Sequence, residues 1–216
     1  MEYPKIETLY DRDPKTFKVT NELRHTEYDL VNQWLVTEKV DGTNMRIELS
    51  PDGVSYRGKT NNSQIPTSIL QWLETNAPFD KVIACFAPGT TATIFGEGYG
   101  VGIQKGGVYR NEGVSFRIFD VTVIGDEDFV WWLNWEDVED VAKKLGMKTV
   151  PFLGHLTRCT DGKLNTSYPS AVTREERESG WGHSQEGIVC RTDPILFMRN
   201  GDRLIWKLKN KDLPKE

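Results

Sequence analysis

Residues 35–49 read LVTEKVDGTNMRIEL, and this stretch sets the reading of the whole chain. Residues 35–40 and 44–49 are apolar and β-branched enough to form two strands, and Asp41-Gly42 between them is a turn signal. A third strand is expected over 54-VSYRGK-59, after the turn Pro51-Asp52-Gly53, so a meander follows. Further out, 66-PTSILQWLETN-76 has Ile69, Leu70, Trp72 and Leu73 at helical spacing, with Pro66 at its start. Residues 92-ATIFGEG-98 and 114-VSFRIFDVTVI-124 read as buried strands. A second helix is expected with Asn134 as its cap, Val138, Val141, Ala142 and Leu145 as its apolar face, and Gly146 at its end. Residues 186-EGIVCRT-192 make another strand. Residues 195-ILFMR-199 and 203-RLIWKLK-209 flank Asn200-Gly201, a hairpin signal. The expected class is α+β with a dominant antiparallel sheet, in one continuous domain over residues 1–216.

The chain has 216 residues, enough to bury a core without disulfides. Its three cysteines, Cys85, Cys159 and Cys190, are odd in number and far apart, which suits a reducing, cytoplasmic setting. No apolar run is long enough to span a bilayer, and the first residues lack a secretory pattern, so no membrane partner is expected. The net charge of −5 argues against coating nucleic acid through bulk charge, but it allows a local basic site.

Four sets of residues carry candidate chemistry. In 39-KVDG-42, Lys39 could be a nucleophile, if nearby cations favour its neutral amine. Gly42 would then let a phosphate approach the backbone. The same four residues also fit a surface strand ending in a turn. Along 203-RLIWKLKNK-211, strand alternation puts Arg203, Lys207, Lys209 and Lys211 on one face and Leu204, Trp206 and Leu208 on the other. That row fits phosphate binding, and it also fits an edge strand protected by lysines. Glu97 and Glu186 stand beside glycines at strand ends, where one could take ribose hydroxyls and the other Mg²⁺. In 116-FRIFD-120, Phe116 and Phe119 could stack on a base or fill a core.

In this order, the segments 38-EKVDGTN-44, 95-FGEGYG-100, 116-FRIFDV-121, 186-EGIVCR-191 and 205-IWKLKNK-211 resemble the five motifs of the covalent nucleotidyltransferase superfamily. That superfamily contains ATP-dependent polynucleotide ligases and mRNA capping enzymes. Asn44, five positions after Lys39 in a Gly-Thr-Asn run, and the linking segment 101-VGIQKGGVY-109 resemble the RNA ligase 2-like, phage-type branch. Where that branch often has His, this chain has Asp41, as DNA ligases do.

The resemblance implies an antiparallel-sheet-based, ATP-grasp-like ligase adenylation domain, with no C-terminal OB-fold expected after residue 211. It implies Lys39 as the adenylated lysine and Glu38 beside the adenine. Asn44 would lie near phosphates or a hydrated metal, and Arg57 would contact nucleotide or strand ends. Glu97 would hold the ribose, Phe119 would stack on adenine and Glu186 would support the metal. Lys207 and Lys209 would grip the α-phosphate. The implied cofactors are ATP and Mg²⁺ or Mn²⁺, and the implied partner is nucleic acid: RNA ends, including those at a nicked duplex. The expected activity is ATP-dependent RNA ligation through a lysyl-AMP. A small DNA ligase sealing nicks and a non-catalytic nucleic-acid-binding relative are the competing expectations.

Overall fold

A computed structural model describes residues 1–104, 109–125, 129–160, 164, 168–177 and 183–212. The centre of the linking segment, residues 105–108, lies outside the described residues. The chain forms two compact units. The first holds residues 1–4 and 41–150, and the second holds residues 5–40 and 151–216.

The chain enters the second unit with β1 (Glu7–Thr8), β2 (Tyr10–Arg12), β3 (Val19–Leu23) and β4 (Trp34–Lys39). It then builds the first unit from β5 (Thr43–Ser50), β6 (Gly53–Gly58), α1 (Thr67–Asn76), α2 (Phe79–Ile83), β7 (Thr91–Gly100), β8 (Val114–Ile124), β9 (Val130–Trp132), α3 (Trp135–Leu145) and β10 (Lys148–Thr149). It returns to the second unit with β11 (Phe152–Leu156), α4 (Ala171–Glu176), β12 (Gly187–Arg191) and β13 (Ile205–Lys209). Among the described residues, no helix is long and apolar enough to cross a membrane.

The sheet of the first unit runs β10-β8-β7-β5-β6, with β9 also paired to β8. Its four longer strands are antiparallel, as alternating side chains and short turns favour. Helices α1 and α3 pack on β8. The latter buries Trp135, Val138, Val141, Ala142 and Leu145. It ends at Gly146, whose φ of 65° is the left-handed conformation that glycine tolerates best. Asn134 occupies the cap position, but its side chain makes no cap hydrogen bond. Its carbonyl accepts the Val138 N–H instead, at 3.0 Å.

The sheet of the second unit runs β1-β13-β12-β4-β11. One face carries a core of Trp34, Ile188, Cys190, Trp206 and Leu208, closed over by Leu9 and Tyr28. Trp34 and Trp206 meet edge to face, with ring centroids 5.6 Å apart. Strands β2 and β3 form a separate two-stranded ribbon.

The structure corrects three local expectations. The strands on either side of Asp41-Gly42 form, but they lie in different sheets, so the dipeptide is a crossing between units and not a hairpin turn. A side chain on Gly42 would put its Cβ 2.2 Å from the Gly98 carbonyl oxygen, so the missing side chain admits the protein's own strand β7. The turn at Asn200-Gly201 also forms, with the Met198 N–H bonded to the Asp202 carbonyl at 2.7 Å. Yet a single bridge, Phe197–Arg203, flanks it, because the ladder partners of β13 are β12 and β1. Finally, the extended chain stops at Lys209. Residues 210–212 form a 3-10 turn, which takes Lys211 off the lysine face, and Arg203 precedes the strand and is buried.

Candidate active site

Strand β12 runs between β13 and β4, and Gly187 opposes Lys209 on one side and Lys39 on the other. Neighbouring strands are about 4.8 Å apart, so the two lysines stand roughly 10 Å apart at the backbone. Glu186, just before Gly187, fills the space between them. One carboxylate oxygen accepts from Lys39 Nζ, and the other accepts from Lys209 Nζ at 2.5 Å. A Cβ on Gly187 would lie 2.1 Å from the Leu208 carbonyl oxygen, so glycine is required for this approach. Lys207, half-buried, shares the face of Lys209 while Trp206 and Leu208 point into the core, as alternation predicts.

Asn210 holds the acidic turn in place. Its side-chain Nδ2 donates to the Gln185 carbonyl at 2.5 Å, and its backbone N–H donates to the Glu186 carbonyl at 2.9 Å. Sequence reasoning missed this residue. Its position directly after the lysine pair was the available signal.

Burial pushes the Glu186 carboxyl up, but Lys39 and Lys209 outweigh it and hold the group below its ordinary value of 4.5. A carboxyl held low in the folded state stabilises the fold above its unfolded value, and that contribution disappears as pH falls through the folded value. Glu186→Gln is therefore expected to lower Tm at pH 7, where two ammonium groups lose their counter-ion. The gap from wild type should close below pH 4.5, as wild-type Glu186 itself takes up a proton. Thermal melts of both proteins across that range check this. A gap that stays constant into acid would show that the ion pairs add nothing to stability.

Glu38 is not gathered with Lys39. Adjacent strand residues point to opposite faces, and Glu38 is buried on the face opposite Lys39. Its carboxylate accepts from the Ser170 hydroxyl at 2.5 Å and from the N–H groups of Ala171 and Val172 at 2.8 and 3.2 Å. An acid at the first turn of a helix is stabilised by those unpaired donors. Any contact of Glu38 with a nucleotide would have to run through its backbone or replace these bonds.

The other candidates lie in the first unit. Glu97 on β7 opposes Asn44 on β5 and Arg117 on β8. Asn44 Oδ1 is buried and accepts no hydrogen bond, an exception that calls for an added donor or cation. Phe119 is the extra residue of a β-bulge: Phe95 pairs with Asp120 and Gly96 with Ile118, leaving Phe119 between them. It is half-buried, and its ring meets that of Tyr3 edge-on at 5.0 Å. Arg57 is 48% exposed and its Nε donates to Glu48 at 2.9 Å. That carboxylate also takes Arg46 and the N-terminal ammonium, so Arg57 belongs to a surface ion cluster. Tyr109, in the linking segment, was not singled out by its sequence. Its buried hydroxyl accepts the Asp41 N–H at 2.9 Å and so anchors the segment just after Lys39.

Among the described residues, no group of three or more His, Cys, Asp or Glu gathers as a metal cage. Mg²⁺ commonly takes only one or two carboxylates and completes its shell with waters and substrate phosphates. In the second unit, Glu186 is a carboxylate of that type.

A family model described as RNA ligase matches residues 32–209. No curated protein sequence matches the chain. Among solved structures, a Naegleria gruberi RNA ligase mutant with ATP and Mn is similar, with a TM-score of 0.66 at 19% identity over 97% of this chain and 58% of that one. The same organism's RNA ligase with PPi is similar at 0.61 and 19%, over 97% and 62%. Another mutant of it, with AMP and Mn, is similar at 0.62 and 18%, over 96% and 60%. This chain thus spans about three fifths of the length of these structures, and at such identity the likeness shows a shared fold.

Proposed function

Because the chain belongs to the RNA ligase family, we propose that it is an ATP-dependent RNA ligase that works through a lysyl-AMP on Lys39. The row Lys39–Glu186–Lys209 across β4, β12 and β13 carries this reading. It puts an amine, a carboxylate and a second ammonium on one stretch of sheet, as transfer of a nucleotidyl group requires.

Lys39 reacts only as a free amine, so its ion pair with Glu186 must part before attack. Its lone pair then forms an N–P bond to the α-phosphorus of ATP, the bond to pyrophosphate breaks, and the amine proton leaves to solvent. The AMP passes to an RNA 5′-phosphate, which displaces Lys39. A 3′-hydroxyl then attacks that phosphate and releases AMP, closing the phosphodiester. Lys209 and Lys207 would hold charge on the non-bridging oxygens. Glu97, Phe119, Asn44 and Arg57 keep the roles that the family resemblance implies. Glu38 would act by placing β4 through its bonds to α4.

A bound Mg²⁺ or Mn²⁺ would neutralise phosphate charge, with Glu186 as its carboxylate and waters and phosphate oxygens as its other donors. Residues 1–216 are read as one adenylyltransferase domain, because the five motifs run in order from residue 38 to residue 211. The run 42-GTN-44 after Lys39 supports the phage-type branch. Three buried free cysteines support a reducing, cytoplasmic setting.

The test is incubation with α-labelled ATP and Mg²⁺, a denaturing gel, and then a chase with 5′-phosphorylated RNA. The expected result is a labelled protein band that the chase discharges, with joined RNA appearing. A protein that takes up no label would sink the proposal. Discharge by DNA ends alone would move the substrate to DNA.

A further inference from the structure

The ribbon β2–β3 lies outside the sheet just described, and its tip, 13-DPKTFK-18, carries an unusual residue. Phe17 has a φ of 57°, a left-handed conformation that a bulky L-residue rarely adopts. Its side chain is also 72% exposed, so no burial offsets the strain.

The turn around it is heavily bonded. One oxygen of Asp13 accepts the N–H groups of Lys15 and Thr16 at 2.9 and 2.7 Å, and the Thr16 hydroxyl at 3.0 Å. The Phe17 N–H donates to the Asp13 carbonyl at 2.8 Å, and the Asp13 N–H donates to the Lys18 carbonyl at 2.9 Å. Arg12 reaches across to the Phe17 carbonyl at 2.9 Å and is itself held by Asp212 at 2.8 Å. The ring is therefore presented on a braced turn.

The charge around it favours an anion. Lys15 and Lys18 are exposed, and neither has an ion-pair partner among the described residues. The acids nearby are occupied: Asp13 by the turn, and Asp11 by Arg24 at 3.2 Å. Glu22 lies toward the other end of the ribbon, where Leu23 pairs with Tyr10. An exposed aromatic on a braced turn between two exposed lysines, on a protein of net charge −5, has the chemistry of a stacking platform for single-stranded nucleic acid.

We propose that the β2–β3 tip is a nucleic-acid contact, in which Phe17 stacks on an unpaired base and Lys15 and Lys18 meet the flanking phosphates. The proposal rests on the ligase reading only for the choice of RNA as the ligand.

The experiment is fluorescence anisotropy of a short labelled single-stranded RNA with the full chain, over a range of salt. A DNA of the same sequence forms the second arm. Phe17→Gly is expected to bind RNA about 10-fold more weakly, in the range of one lost base stack. Its Tm should hold or rise, because glycine relaxes the left-handed position. Phe17→Trp should restore binding. The double variant Lys15→Ala/Lys18→Ala should flatten the slope of log affinity against log salt by about 1.4, two phosphate contacts on a single strand. A matching loss on DNA supports the tip as well, since stacking acts on bases. Wild-type RNA affinity in Phe17→Gly, or failure of Phe17→Trp to restore it, overturns the proposal. The labelled-AMP band of the wild type reports on the ligase reading separately: its absence sinks that reading, whereas the Phe17 result alone judges the tip.

Discussion

Lys39→Ala is expected to take up at least about 10³-fold less label from α-labelled ATP, because the proposed attacking nitrogen is gone. Lys39→Arg is expected to fail as well. A guanidinium stays protonated and has no lone pair to give, even though it keeps the charge beside Glu186. The pair of variants separates chemistry from electrostatics: a residue needed only as a cation to hold Glu186 would be replaced in good part by arginine. Denaturing gels after single-turnover incubation measure the label, and melts of each variant confirm that it is folded. A labelled band of ordinary strength from either variant would remove Lys39 from the mechanism.

Glu186→Ala and Lys209→Ala are each expected to slow adenylation by about 10²-fold or more, the usual cost of removing a group that acts on transition-state charge. Because both touch the same carboxylate–ammonium row, the double variant should lose less than the product of the two single losses. Lys207→Ala should behave like Lys209→Ala, since it shares that face of β13. Lys211→Ala, exposed on the 3-10 turn beyond the strand, should adenylate close to wild type. Single-turnover rates at saturating ATP decide this. Ordinary rates in Lys209→Ala would leave β13 as a packed strand with a solvated face and nothing more.

Much of the site was legible because strand alternation is a local property. Lys207 and Lys209 are two residues apart, so they share a face wherever the strand ends up, and Trp206 and Leu208 must take the other. The same rule, applied to Glu38 and Lys39, would have separated those two neighbours. The family resemblance places Glu38 beside the adenine, and the bonds from Ser170, Ala171 and Val172 show where its carboxylate goes. Arg57 shows the opposite limit. Its strand was expected and is present, but its partner Glu48 is chosen by cross-strand register, which a single strand's pattern does not contain. The bulge that sets Phe119 apart also depends on the partner strand, since an extra residue exists only relative to the residues it faces.

By itself the sequence determined the elements and their faces: the strands around Lys39, Glu97, Glu186 and Lys209, the helix from Trp135 to Leu145, and the order of motifs that marks the family. These follow from periodicity, turn chemistry and capping, which act over a few residues. Only the tertiary structure decided which strands share a sheet. It sent β4 and β5 to different units across Asp41-Gly42, and it set β12 between β4 and β13 so that Glu186 meets both lysines. It also recruited Asn210 and Tyr109 as anchors. The physical reason is that strand pairing joins residues as far apart in the chain as Lys39 and Gly187. Its register is settled by close packing, such as the gap at Gly187 that no side chain could enter, and not by the local preference of either strand.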